Sequence, residues 1–236
     1  MDKIEMIWDN QIAADSFPKL KSLSVDECNK FVTVVPTFVL GQLKSLESLE
    51  AKACVSLKVV FELQPLIPLD GHPVAVPLRE LTVSRLPKLK CVWDKELHRQ
   101  VKFQHLRSVS VSCCNSLTSL FPTSIVRDLM PLEELEIREC GIAQLIEKEE
   151  GLLVPRFDFP KLTSLKLKDL TKLKHIYTGT HAIHCPALKT LKVDGCNKVE
   201  IIAHHTENDM PRHKQPLFLI EKVRAKIICF NSIVDI

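Results

Sequence analysis

Residues 106–120 read LRSVSVSCCNSLTSL, with apolar positions at Leu106, Val109, Val111, Cys114, Leu117 and Leu120. Over Ser108–Ser112 serine and valine alternate strictly, the pattern of a short strand with one buried face. The wider spacing, L-xx-L-x-L-xx-C-xx-L, recurs along the chain. It starts at Leu20, Leu46, Leu78, Leu106, Leu132, Leu162 and Leu188, at intervals of 26, 32, 28, 26, 30 and 26 residues. Self-similarity at such a period marks a stack of repeated units, each too small to bury its apolar face alone.

The columns of the repeat identify what the cysteines do. Five of the nine, Cys28, Cys54, Cys114, Cys140 and Cys196, share one column, and Leu86 and Leu170 fill it in the other two copies. A position that takes Leu wherever it lacks Cys is apolar and buried, neither a metal ligand nor a nucleophile. Free cysteine packs there as a small hydrophobe with a weak donor. Cys113 lies at the strand end, outside that column, and reads as incidental. The next apolar column holds Phe31, Leu57, Leu89, Leu117, Ala143, Leu173 and Val199.

This spacing is that of the leucine-rich repeat. It predicts an α/β repeat fold: a solenoid arc with a parallel concave sheet and short helices or turns on the convex side. SIVRDLMPLEEL (124–135) reads as a helical turn or two before its strand. Seven strands about 4.8 Å apart give a face on the order of 30 Å long. Residues 1–19 read as the end of a truncated preceding repeat and 20–203 as the seven repeats. Residues 204–223 read as a partial repeat or loop. The tail 224–236 (RAKIICFNSIVDI) shows no repeat spacing.

Composition narrows the function classes. Hydrophobic residues make up 45 % and charged residues 26 % of the 236, and the net charge is +3. That charge is too mild to point to nucleic acid or a membrane surface. The N-terminus has no apolar signal core, no apolar run approaches the roughly 18 residues of a spanning helix, and no Asn-x-Ser/Thr occurs. A cytoplasmic protein with reduced cysteines is expected. Six glycines are few, and no G-x-x-x-x-G-K-[ST], G-x-S-x-G, H-E-x-x-H or C-x-x-C is present. The expectation is a non-enzyme with no catalytic residues, cofactor or metal.

Several clusters admit a chemical reading and a plainer one. His181, His184 and Cys185, with His204 and His205 later, offer zinc-ligand types. They lie in a returning loop without a second cysteine pair, which favours a solvated loop. Trp8, Trp93 and Tyr177 share one repeat position, which favours packing on the returning side over a ligand cage. Glu147–Glu150 reads as a solvated charge run. Cys28–Cys54 and Cys114–Cys140 would stand about 5 Å apart by Cα and are expected as thiols.

The outward strand positions line the concave face. The first four copies read Ser22/Ser24/Asp26, Ser48/Glu50/Lys52, Glu80/Thr82/Ser84 and Ser108/Ser110/Ser112. The last three read Glu134/Glu136/Arg138, Ser164/Lys166/Lys168 and Thr190/Lys192/Asp194. Charges steer and select partners, so the candidate protein-binding residues are Glu134, Glu136, Arg138, Lys166, Lys168, Lys192 and Asp194.

Two repeat flavours alternate. One is LRSVSVSCCNSLTSLFP and LKTLKVDGCNKVEII; the other is FPKLTSLKLKDLTKLKHIY and VPLRELTVSRLPKLKCVW. With PLEELEIRECGIAQLIEKEEG and QPLFLIEKV, they resemble the leucine-rich repeats of plant coiled-coil-type nucleotide-binding disease resistance proteins, over residues 4–223. The resemblance implies a recognition domain in defence. Its partner would be a pathogen effector, a guarded host protein or a receptor's nucleotide-binding domain. The nucleotide switch of such receptors is not among these residues, so a fragment is expected. Two other readings stand beside it. One is the substrate-selecting arm of a ubiquitin ligase, which would need an F-box-like segment ahead of the repeats. The other is a truncated gene product without function.

Overall fold

The computed structural model describes residues 7–8, 16–63, 73–94, 97, 101–149, 157–174 and 183–196. It also describes the backbone of 201–202, 226–230 and 234–235. The repeat columns become one parallel sheet. Its strands, in spatial and chain order, are Ser22–Asp26, Ser48–Lys52, Glu80–Ser84, Ser108–Ser112, Glu134–Arg138, Ser164–Lys168, Thr190–Asp194 and Lys226–Phe230. Each strand is five residues long because two apolar residues at alternate positions suffice to turn one face inward. The register never slips: Leu49 stands beside Leu81, Leu81 beside Val109, Val109 beside Leu135 and Leu135 beside Leu165. A slip of one residue would expose that whole file.

Behind the sheet run shorter parallel ladders. Thr33–Pro36, Val59–Glu62 and Cys91–Trp93 form one; Ser119–Pro122 pairs with Gln144–Glu147, and Phe157–Asp158 with Ile183–His184. Two four-residue helices, Thr37–Leu40 and Thr123–Val126, each follow a proline whose fixed φ suits a helix start. This is a leucine-rich-repeat solenoid with few helices. Its core is continuous through the stack, and Leu46, Leu49, Leu57, Leu78, Leu89, Leu106, Leu117 and Leu132 have no exposed surface. Trp93 packs against Phe61, Phe103 and Phe121 with ring centroids 5.1–6.4 Å apart. Trp8 is buried too, its indole N–H donating to the Val34 carbonyl at 2.6 Å. Packing therefore accounts for both tryptophans; Tyr177 lies outside the described residues.

The turn off each strand has a conformation the columns alone do not announce. Glu27, Ala53, Arg85, Cys113, Glu139, Asp169 and Gly195 occupy one column, and all have φ between 51° and 63°. From this left-handed position the backbone N–H reaches sideways to the end of the next strand, as in Ala53 N to Ser84 O at 3.0 Å and Cys113 N to Arg138 O at 3.0 Å. Cys113 is thus one member of a structural column rather than incidental. The cysteine that follows the column adds a second bond. The thiols of Cys54, Cys114, Cys140 and Cys196 donate to Lys52 O, Ser112 O, Arg138 O and Asp194 O at 3.1–3.5 Å. Those four carbonyls also accept the sideways N–H of the preceding copy. Both lone pairs are used, the burial economy expected of main-chain acceptors.

Two expectations about individual columns change. In the fifth copy the spacing aligns Ala143 with Leu117 and Leu173, but the fully buried residue there is Ile142. Ala143 instead continues the file of Lys58, Lys90 and Thr118, since Ala143 N donates to Thr118 O at 2.9 Å and Lys174 N to Ala143 O at 2.9 Å. This copy is one residue short in its turn, and Gly141 closes the gap against the backbone of Asn115. The acidic run is not simply solvated either. Glu147 ends a strand and its carboxylate accepts from Ser119 Oγ at 2.9 Å. The Glu149 carboxylate accepts from Ser124 N at 2.6 Å and Ser124 Oγ at 3.1 Å, at the start of the second helix.

The sheet also runs one strand past the seventh copy. Lys226–Phe230, in the segment without repeat spacing, pairs in parallel with Thr190–Asp194.

Candidate functional site

The sheet's outward face carries three files of side chains, and register sets who stands beside whom. The central file runs Ser24, Glu50, Thr82, Ser110, Glu136, Lys166, Lys192. Beside it run Asp26, Lys52, Ser84, Ser112, Arg138, Lys168, Asp194, and on the other side Ser22, Ser48, Glu80, Ser108, Glu134, Ser164, Thr190. Small hydroxyl side chains dominate the early strands, where Asp26 pairs with Lys52 at 3.2 Å and Ser24 Oγ donates to Glu50 at 3.3 Å.

The late strands bring all seven candidate residues onto three neighbouring strands. Glu136 sits between two cations: Oε1 is 3.2 Å from Arg138 Nε and Oε2 is 3.4 Å from Lys166 Nζ. The acidic pair seen in the sequence is therefore unequal, because Glu136 is held while Glu134 stands exposed at the strand start. Lys168 and Lys192 are exposed and make no ion pair among the described residues. Asp194 is half-buried and stands beside Lys168 in register. The pairings gathered around Glu136 hold its neighbours in fixed geometry, and Lys168 and Lys192 remain to meet a partner. At half-exposed positions such pairs contribute under about 1 kcal/mol each, so they organise the surface more than they stabilise the fold.

Four of the buried cysteines are poor nucleophiles, while the neighbouring Cys114 thiol brings the fifth, Cys140, down. Desolvation pushes the Cys54 and Cys196 thiols up, and it pushes Cys185 up to about 12, with Asp158 adding to the effect. The adjacent Cys140 thiol, and then burial, push Cys114 up. The eight described cysteines are all free thiols. Of the zinc candidates, His184 Nδ1 is 3.1 Å from Asp158 Oδ1, and Cys185 is buried in the core. His181, His204 and His205 lie outside the described residues. Among the described residues no group of three His, Cys, Asp or Glu side chains is placed to hold a metal ion. No described helix is long and apolar enough to cross a membrane.

A family model described as plant disease resistance protein RPS2-like, leucine-rich repeats, matches residues 1–141. The chain belongs to this family. No curated protein and no solved structure gives a match. The RPS2-like match takes in the strand bearing Glu134, Glu136 and Arg138 and ends in the turn at Gly141. The same files of outward side chains continue unbroken into Ser164–Lys168 and Thr190–Asp194. Repeat domains of this kind are in general protein-interaction modules, consistent with a regular sheet face lined by polar side chains.

Proposed function

We propose that this RPS2-like repeat domain recognises a protein in plant intracellular defence, acting by binding rather than catalysis. Its docking surface is the late-strand patch of Glu134, Glu136, Arg138, Lys166, Lys168, Lys192 and Asp194. The partner is a pathogen effector, a guarded host protein or the nucleotide-binding domain of a receptor, met in the cytoplasm. The family match carries the defence reading. What supports the location is that Glu136 is gripped by Arg138 and Lys166 while Lys168 and Lys192 stay exposed beside it. A partner that binds one state of a receptor better than another shifts its equilibrium by that difference in affinity.

The test is a pull-down from plant tissue, comparing wild type with Glu134→Lys/Lys166→Glu and read by mass spectrometry. Recovery of a nucleotide-binding receptor or an effector target by the wild type alone supports the patch. The same partners on both proteins would overturn the late-strand assignment, and none on either would overturn recognition itself.

A further inference from the structure

A second surface lies on the rim where each copy turns off the sheet. In copies two to four the turn residues are 53–58 (ACVSLK), 85–90 (RLPKLK) and 113–118 (CCNSLT). They carry Lys58, Arg85, Lys88 and Lys90 and no acid. All four cations are exposed, and none forms an ion pair among the described residues. Main-chain bonds align part of the set: Lys58 N donates to Val32 O at 2.9 Å and Lys90 N to Lys58 O at 2.8 Å. Val32, Lys58 and Lys90 therefore stand in one file, about 4.8 Å apart per step.

Apolar side chains sit among the charges. Val32 is 45 % exposed and Val55 46 %, two of the five large hydrophobic residues that the described residues leave exposed. Both are on rigid turns, closed by Phe31 N to Cys28 O at 3.2 Å and Leu57 N to Cys54 O at 3.3 Å. A β-branched side chain on a fixed backbone has little freedom left to lose on binding. Val32 stands beside Lys58 in this file and Val55 shares a turn with Lys58, so exposed aliphatic and cationic side chains alternate here, with Glu27 the one acid on the Val32 turn. Mixed apolar and charged surface of this kind suits a protein contact.

We propose that this rim docks an acidic protein segment bearing aliphatic side chains. Its carboxylates meet Lys58, Arg85, Lys88 and Lys90, and its aliphatic groups cover Val32 and Val55. A nucleic-acid strand is a poorer fit, because no aromatic side chain projects among these turn residues to stack a base. An anionic membrane is a poorer fit because two valines on fixed turns bury little area in lipid. The surface is separate from the late-strand patch.

The experiment uses the full chain and fluorescence anisotropy with a labelled peptide of repeating Asp-Glu-Leu. Its Asp-Glu-Ser counterpart, oligothymidylate and phosphatidylserine vesicles serve as comparison probes. The expected result is tightest binding of the leucine peptide, weakened about tenfold by Lys58→Glu/Lys90→Glu and by a smaller factor in Lys58→Gln/Lys90→Gln. Val55→Ser should bring the leucine peptide down towards its serine counterpart. Lys161→Glu/Lys189→Glu, exposed lysines outside both surfaces, should change nothing. Equal binding of the two peptides, equal loss in the Lys161/Lys189 variant, or tighter binding of oligothymidylate or vesicles would overturn the proposal.

Discussion

Replacing Gly141 by alanine tests the shortened fifth turn directly. A Cβ at this position runs into the carbonyl oxygen of Asn115, with the Asn115 carbonyl carbon at 2.8 Å and the Leu117 oxygen at 3.2 Å. All three are main-chain atoms of the preceding copy, so no side-chain rotation relieves the clash. The two copies must separate by on the order of 1 Å to restore van der Waals contact. That movement weakens the bond from Gly141 N to Cys114 O, now 3.1 Å, at a cost of about 1 kcal/mol. Overpacking between the copies adds about 1–3 kcal/mol. A loss of about 3 kcal/mol lowers Tm by roughly 6–12 °C for a domain of this size. Gly41→Ala is the matched control. Gly41 has φ −65° and nothing within 4 Å of a new Cβ. There alanine should leave stability unchanged or raise it by up to about 1 kcal/mol. Thermal and urea unfolding of the three proteins decide the matter. A fall of less than about 2 °C for Gly141→Ala, or an equal fall for Gly41→Ala, would refute the short-turn account.

Other perturbations follow from the same structure. Cys185 is raised from its ordinary 9.0 to about 12, so above pH 9 the unfolded chain releases a proton that the folded chain retains. The stability it contributes is complete below pH 9 and declines as pH rises towards 12, by up to about 4 kcal/mol; urea midpoints should fall over that window, and less steeply in Cys185→Ala. In a double-mutant cycle, Glu136→Gln and Lys166→Gln should couple by about 0.2–1 kcal/mol, shrinking in high salt; a coupling near zero in dilute buffer would contradict the ion pair. At the left-handed column, Ala53→Gly removes about 1–2 kcal/mol of strain against about 0.5–1 kcal/mol of added chain entropy. It should therefore raise the unfolding midpoint slightly, while Gly195→Ala, at φ 63°, should lower it.

How much of this is legible in the chain depends on whether a feature repeats. Leu81, Val109 and Leu135 announce the sheet because each obeys the same spacing, and their neighbours in space are their equivalents in sequence. The cysteine column is legible for the same reason, since Leu86 and Leu170 stand in for cysteine and mark the site as apolar. The left-handed column carries no such mark. Its members Glu27, Ala53, Arg85, Cys113 and Asp169 have no chemistry in common, and only the sideways bond of their N–H to the next strand selects the conformation. The fifth turn is not legible because Ile142 and Ala143 are both apolar and adjacent, so hydrophobicity alone does not say which one faces the core. The seven candidate surface residues were legible as outward positions. That Glu136 is gripped while Glu134 is exposed was not.

The sequence by itself determined the period, the buried strand face of the seven copies and the identity of the outward side chains. These follow from local alternation summed over a repeat, and stacking equivalent copies leaves no other register. The tertiary structure decided which neighbours meet: the glycine-closed turn, the hold of Arg138 and Lys166 on Glu136, and the meeting of Glu149 with Ser124. It also brought Lys58, Lys90 and Val32 from separate copies into one file on the rim. Apart from Arg138 and Glu136 on one strand, these pairings are set by distances across the stack of about 5 Å between residues some thirty apart in the chain, which no local pattern encodes.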